Sequence, residues 1–384
     1  MDGTELRLGL ADALLRGRAR IAQRLRPVLG RHLRTRRALG RADIALGRWQ
    51  HTLAQTFPVL IRPHPRQLTV AVTSACNLRC AGCRYGRDFM PGERLPLAMA
   101  RQLLEDARAC GVGRVRLYGG EPLLHPDLVE MVRCSTELGL DTYLTTNGIL
   151  LGERIDELVQ AGLRWATVGF YGVGQAYEAY TQRDGWFVHL ERSLARVRER
   201  QGSRFSLQLN FVLVRPTCNL EALRAAWAFA ERFEMAFHLD LYGYSMPFFT
   251  DGPQGGLRFR PEDRPVVEEV GRELVRLKLA HPQRFPQSLE LVRSVPDWLL
   301  LGPAMRVPCD AYELLWVGAD GTVQLCDVTF VLGNLRERRL RDMLFGPEHR
   351  RACREAFLLR CPNCTCKSDS RIRKHGASLR RYVS

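Results

Sequence analysis

Twelve cysteines occur among the 384 residues, and eight of them fall into two tight groupings. The first reads Cys76-Asn77-Leu78-Arg79-Cys80-Ala81-Gly82-Cys83. Three thiolates so close together can wrap one metal centre, and soft sulfur suits iron or zinc. No fourth Cys or His lies close by, the next being Cys110 and His125, so a closed zinc knuckle fits poorly. Three ligands leave one position open, as a catalytic metal centre requires. The second grouping is Cys309 and Cys326 followed by Cys361-x2-Cys364-x-Cys366. Disulfides are not expected for so many thiols in a reducing compartment, so metal ligation is the natural reading. Cys110, Cys134 and Cys353 lie within helical patterns and read as packing or surface thiols.

Elements that must position these sulfurs can be read from periodicity. The first grouping directly follows an apolar, β-branched run at 68–73. Similar runs recur at 114–118, 141–146, 165–171, 206–214 and 237–242, with helical stretches between them such as 97–110, 126–139, 188–200 and 220–234. Six strand–helix units in succession predict a parallel sheet, because parallel neighbours need crossover connections. Six is short of the eight that close a full barrel. The fold class expected is therefore α/β, a partial (β/α)6 TIM-type barrel over 67–304, with its chemistry at the strand ends. Residues 1–66 read as a basic helical extension, since Leu14, Leu15, Ile21, Leu25, Leu29 and Leu33 keep helical spacing with arginines between them. Alternating apolar residues around Asp320-Gly321 predict a β-hairpin that turns Cys326 back toward Cys309. That hairpin makes 305–370 a small C-terminal Cys-rich auxiliary domain, followed by a basic tail at 371–384.

The formal charge of +16 is concentrated at the two ends. Residues 1–66 carry a net +10 and residues 350–384 a net +8, which leaves the middle close to neutral. A uniformly basic surface would point to nucleic acid; basic ends on a neutral body do not, and nucleic acid is not an expected partner. Solvated helix faces are the plain explanation, with an anionic membrane surface or a phosphorylated substrate as alternatives. No stretch approaches the ~20 apolar residues of a membrane span, and the first thirty residues lack a signal-peptide core. The expected location is cytoplasmic, with peripheral membrane contact through the Leu/Arg helix as an additional hypothesis.

Three motifs fall in order at strand ends: Cys76-x3-Cys80-x2-Cys83, then Gly119-Gly120-Glu121-Pro122, then Thr145-Thr146-Asn147-Gly148. Together they resemble the radical S-adenosylmethionine (SAM) superfamily over roughly residues 67–366. The resemblance implies a [4Fe–4S] cluster on Cys76, Cys80 and Cys83 whose open iron chelates SAM. It also implies SAM contacts from Gly119, Gly120, Glu121 and Pro122, and from Thr146 and Asn147 near the cofactor. Two departures stand out. Gly82 occupies the position before the third cysteine where relatives often carry an aromatic residue, which passes the adenine contact to Tyr85. After strand four, Gly169-Phe170-Tyr171-Gly172 replaces the Ser-x-Asp-Gly of many relatives. The later cysteines resemble the SPASM domain and its shorter Twitch form. That implies one auxiliary [4Fe–4S] cluster on Cys309, Cys326, Cys361 and Cys364, with Cys366 as an alternative ligand. Zinc on the same cysteines is the competing reading.

What the resemblance implies for activity is reductive cleavage of SAM to a 5′-deoxyadenosyl radical that removes a hydrogen atom from a substrate, with electrons from flavodoxin or ferredoxin. A small-molecule or lipid-linked biosynthetic substrate is the first expectation. Peptide maturation by crosslinking or epimerisation is the alternative; RNA modification and a non-catalytic Fe–S protein rank below both. Cys218, in Arg215-Pro216-Thr217-Cys218-Asn219 just past strand five, is a candidate catalytic hydrogen donor.

Overall fold

The computed structural model describes residues 33–252 and 255–375, with side chains from residue 45 onward. The Leu/Arg helix expected within residues 1–32 and the end of the basic tail lie outside those residues. What is described of the extension is one helix, α1 (Leu33–Thr56). Among the described residues no helix is long and apolar enough to cross a membrane.

Six strands follow, each at an expected place: β1 (Gln67–Thr73), β2 (Arg114–Gly119), β3 (Asp141–Thr146), β4 (Trp165–Phe170), β5 (Ser206–Leu213) and β6 (Ala236–Leu241). Between them run α2 (Leu97–Ala109), α3 (Leu128–Glu137), α4 (Leu151–Gln160), α5 (Gln175–Thr181), α6 (Phe187–Gln201) and α7 (Leu220–Arg232). Neighbouring strands are parallel throughout. Their side chains alternate between two faces. Toward the helices they present Leu68, Val70, Val115, Leu117, Leu144, Val168, Leu209 and Phe211, all within the hydrophobic core. α7 shows how a helix is seated on that face: the Asn219 side chain accepts from the Ala222 amide at 2.8 Å, capping a helix that buries Leu223, Ala226, Trp227 and Phe229. Loss of such a cap costs about 1 kcal/mol.

The other face of the strands is polar. Register pairs Thr69 with Arg116, Arg116 with Tyr143, Thr145 with Thr167, Thr167 with Gln208, and Asn210 with His238. A curved sheet with an apolar convex side and a polar concave side is built to hold a ligand within its curve.

The Cys-rich region joins this sheet directly. After α8 (Arg264–Ala280) and α9 (Leu289–Leu301), β7 (Leu314–Val317) lies parallel to β1, and β8 (Thr322–Gln324) and β9 (Val331–Asn334) continue antiparallel. The result is one open sheet of nine strands in the order β6-β5-β4-β3-β2-β1-β7-β8-β9. Three helices complete the chain: α10 (Leu340–Met343), α11 (Pro347–Phe357) and α12 (Ser368–His375). Between α11 and α12 the segment 361–366 reaches from the end of β6 to the end of β8. Ser245 Oγ donates to Pro362 O at 3.0 Å, and Cys366 Sγ lies 3.2 Å from Asp327 Oδ2.

Candidate functional site

The loop after β1 carries Cys76, Cys80 and Cys83, and its course is fixed from three sides. The turn after β2 crosses behind it: Gly120 N donates to Thr73 O at 2.8 Å and Glu121 N to Ala75 O at 2.7 Å. A Cβ at Gly119 would meet Thr73 O at 2.3 Å, and one at Gly120 would meet Ala75 O at 2.2 Å. Both positions therefore exclude any side chain. α5 and its end hold the loop from a second side, through Arg79 N to Thr181 O at 3.0 Å and Ala81 N to Tyr180 O at 2.8 Å. On the third side Thr250 N donates to Gly82 O at 2.7 Å. A Cβ at Gly82, whose φ is +79°, would sit 2.5 Å from Thr250 O and 2.7 Å from Leu257 Cδ1. That contact explains the departure at this position, since the segment around Phe249 and Thr250 fills the space an aromatic side chain would need.

All three thiols are shifted upward. Burial, then the Glu121 carboxylate, pushes Cys76 up to about 12. Burial raises Cys80 and Cys83 as well, and Cys80 also feels the other two sulfurs. Three sulfurs close enough to repel one another, withdrawn from water, become thiolates only when a cation joins them. The donor set thus fits an iron–sulfur cube with one vacant corner. Tyr171, which the sequence marked only as a departure, supplies a hydroxyl hydrogen bond to the Cys80 sulfur and stacks on Tyr180 with centroids 4.2 Å apart.

Glu121 is fully buried and joins the second and third motifs. Its Oε1 accepts from Thr146 Oγ1 at 2.8 Å and Leu123 N at 3.0 Å, and its Oε2 accepts from Asn147 N at 2.8 Å. A carboxylate offers about four acceptor positions, so room for a further donor remains. Burial raises its pKa to about 7 against those three hydrogen bonds, which pull it down. Asn147 Nδ2 donates to Asn77 Oδ1 at 2.7 Å, tying this turn to the cysteine loop. Pro122 starts a short buried turn behind Glu121. Tyr85 lies deep, 4% exposed, with its hydroxyl 3.2 Å from that of Tyr118 in a cluster with Ala71 and Trp316.

The second set of sulfurs also converges. Cys309, Cys326, Cys361, Cys364 and Cys366 line one cavity together with Leu314, Val328 and Phe330. Burial raises Cys309 to about 12 and raises Cys326 and Cys361 too. Cys364 moves the other way, to about 7, chiefly through its hydrogen bond with Cys366. Arg371, fully buried, lies beside these sulfurs and lowers Cys309, Cys361 and Cys364. Its donors go to neutral acceptors: Nε to Val307 O at 3.2 Å, Nη1 to Cys364 O at 2.6 Å and Nη2 to Asn363 Oδ1 at 3.0 Å. A cation kept without a carboxylate beside five sulfurs suits an anionic thiolate-bound centre. Cys218 joins neither set; its thiol is 2% exposed within the hydrophobic core, and burial pushes it up to about 12.

Comparison with known proteins agrees with this geometry. Residues 70–221 match the radical SAM superfamily model, and residues 309–367 match the SPASM iron-sulfur cluster-binding domain. The chain is 26% identical over 328 residues to an AdoMet-dependent heme synthase of Methanosarcina barkeri, covering 79% of this chain and 89% of that protein. It is 28% identical over 286 residues to a PqqA peptide cyclase of Xanthomonas campestris pv. campestris, covering 73% and 72%. A match of 37% identity to a GTP 3′,8-cyclase of Chlorobaculum tepidum takes in 33% of this chain and spans only 39% of that protein. In fold the chain resembles Streptococcus suis SuiB bound to its precursor peptide SuiA, with a TM-score of 0.59 and 15% identity over 78% of this chain and 69% of that one.

Proposed function

Since the chain belongs to the radical SAM superfamily and carries a SPASM domain, we propose that it is a biosynthetic enzyme whose substrate is a small metabolite bound within the curve of its sheet. Its cofactors are SAM and a [4Fe–4S] cluster, with further iron–sulfur at the SPASM domain. The observation that carries the proposal is the convergence of three half-buried thiols, a buried carboxylate and the Asn147 turn at the ends of β1, β2 and β3.

Cys76, Cys80 and Cys83 would hold the cluster, and Cys309, Cys326, Cys361 and Cys364 the auxiliary one, with the Cys366 thiol beside Cys364 and donating to Asp327 Oδ2. When bound, the cluster and SAM supply an electron and a strongly hydrogen-abstracting adenosyl fragment. The protein's share is placement and exclusion. Glu121 offers its free acceptor position to the amino group of SAM, in line with the GGEP resemblance. Asn147 and Asn77 hold that carboxylate and the cysteine loop in one frame. The adenine contact assigned to Tyr85 would require its ring to leave the Tyr118–Trp316 cluster. A hydrogen-donor role for Cys218 is not part of the proposal, because the residue packs within the hydrophobic core and joins neither set of sulfurs. The peptide alternative has one specific support, the 28% identity to a PqqA peptide cyclase over 73% of this chain. Electron supply from a flavodoxin or ferredoxin and a cytoplasmic location belong to the same proposal; membrane contact through residues 1–66 gains no support from the described part of that extension.

Anaerobic incubation of reconstituted protein with SAM and dithionite tests the reading. Formation of 5′-deoxyadenosine is expected, and a cluster-loaded protein that yields none would reject it.

A further inference from the structure

Arg116 stands at the middle of β2 on the concave face, between Thr69 of β1 and Tyr143 of β3 in register. Its Nε donates to Thr145 Oγ1 at 2.9 Å, and its guanidinium carbon lies 4.6 Å from the centre of the Tyr118 ring. Those two contacts fix the plane of the group. They leave its two terminal nitrogens unused: among the described residues neither makes a hydrogen bond or an ion pair. The residue is half-buried, and the carboxylates of Asp327 and Asp240 act on its charge although neither forms an ion pair with it.

Other arginines show how unusual this is. Arg114, two residues earlier on the same face, pairs with Asp141 at 2.7 Å. Arg371 is wholly enclosed, and carbonyl and amide oxygens take its donors. Holding a guanidinium inside a protein with its fork unmet costs free energy that a bound oxyanion returns. The planar fork matches a carboxylate or phosphate with two parallel hydrogen bonds, which an ammonium could not do. Along the same face run buried acceptors that lack a donor. Gln324 Oε1 is one, on β8, which pairs through Trp316 of β7 to Thr69 of β1; Asp327 Oδ1, just beyond β8, is another.

We propose that Arg116 anchors an oxyanion of the substrate, a carboxylate or a phosphate, at the floor of the barrel. This rests on the function proposed above and narrows it. The substrate is an acidic metabolite whose negative end lies on Arg116 while hydrogen-bond donors elsewhere on it face Gln324 and Asp327.

The test is residue-specific and does not depend on turnover. Anaerobically reconstituted full-length protein is treated with phenylglyoxal, which modifies accessible arginines, and the peptide containing Arg116 is followed by mass spectrometry. Three arms at equal ionic strength contain chloride, inorganic phosphate or acetate. Arg116 should react in chloride and be slowed at least about fivefold by phosphate or by acetate. Protection by phosphate alone identifies a phosphorylated substrate, and protection by acetate alone a carboxylic acid. An Arg116 that never reacts, or reacts equally fast in all three arms, overturns the proposal. The iron content of the same sample reads the cluster assignment separately, so a loaded protein with an unprotected Arg116 rejects the anchor alone.

Discussion

Cys76, Cys80 and Cys83 come from one loop of eight residues, whereas the five sulfurs of the second site come from three segments between residues 309 and 366. The first loop takes its shape from backbone hydrogen bonds to two glycines and a short helix. The second is held by side chains from far apart in sequence. Arg371 ties α12 to Val307 and Asn363. Lys367 reaches Glu313 at 2.8 Å, Lys374 reaches Asp310 at 3.0 Å, and His51 of α1 lies 2.8 Å from His375. Burial lowers both of these imidazoles, His51 to about 4 and His375 to about 3, so they sit there uncharged. The first site gathers its ligands within one loop that distant backbone then braces; the second needs tertiary contacts to gather the ligands themselves.

Cysteine replacement should split the two sites most sharply. Alanine at Cys76, Cys80 or Cys83 is expected to abolish 5′-deoxyadenosine formation and remove about four irons per chain. Alanine at Cys309 or Cys326 should remove a similar amount of iron while SAM cleavage without substrate continues. Equal loss of both properties from either set would dissolve the distinction. The next largest effect is expected of Arg371→Met, which removes the buried cation and its hydrogen bonds to Val307, Asn363, Cys364 and Cys366. Iron should fall at the auxiliary site only, and a full iron count after gel filtration would speak against that role.

The first site should reveal itself through pH. Glu121 is raised to about 7, so below that value it carries a proton that must leave before it can accept from an ammonium. SAM affinity should therefore be about tenfold weaker at pH 6 than at pH 8, and Glu121→Gln should flatten the profile. A profile unchanged by that substitution would remove Glu121 from the SAM contact. A smaller effect belongs to Tyr171→Phe. Loss of a hydrogen bond to the Cys80 sulfur should make the cluster's reduction potential more negative, with iron content kept; an unmoved potential would leave Tyr171 a packing residue. The smallest is Cys366→Ala, which should keep the full iron count, because this thiol acts as a hydrogen-bond donor to Asp327 Oδ2 and not as a ligand. Loss of about four irons would instead make it a ligand.

The same contrast explains what was legible in the sequence. The six strands and the three motifs at their ends were readable because each is a local pattern, an apolar run followed by a short turn. The hairpin at Asp320-Gly321 was readable for the same reason. Its parallel pairing to β1 was not, since register between Gln67 and Leu314 depends on everything folded between them. Gly82 could be seen as a departure but not explained until Thr250 and Leu257 were found where a side chain would go. Tyr171 and Arg371 left little signal: a tyrosine after a strand and an arginine in a basic tail resemble many others. Arg116 was visible only as a charge interrupting an apolar strand, and that interruption is the kind of local inconsistency that marks a ligand-facing position.

The central claim is tested most directly by electron paramagnetic resonance of the dithionite-reduced protein, recorded before and after SAM is added. If SAM binds the open iron held by Cys76, Cys80 and Cys83, its addition should change the signal in the wild type. In a variant with all three changed to alanine, SAM should leave whatever signal remains untouched. A wild-type spectrum indifferent to SAM, or a triple variant that still responds to it, would contradict the account.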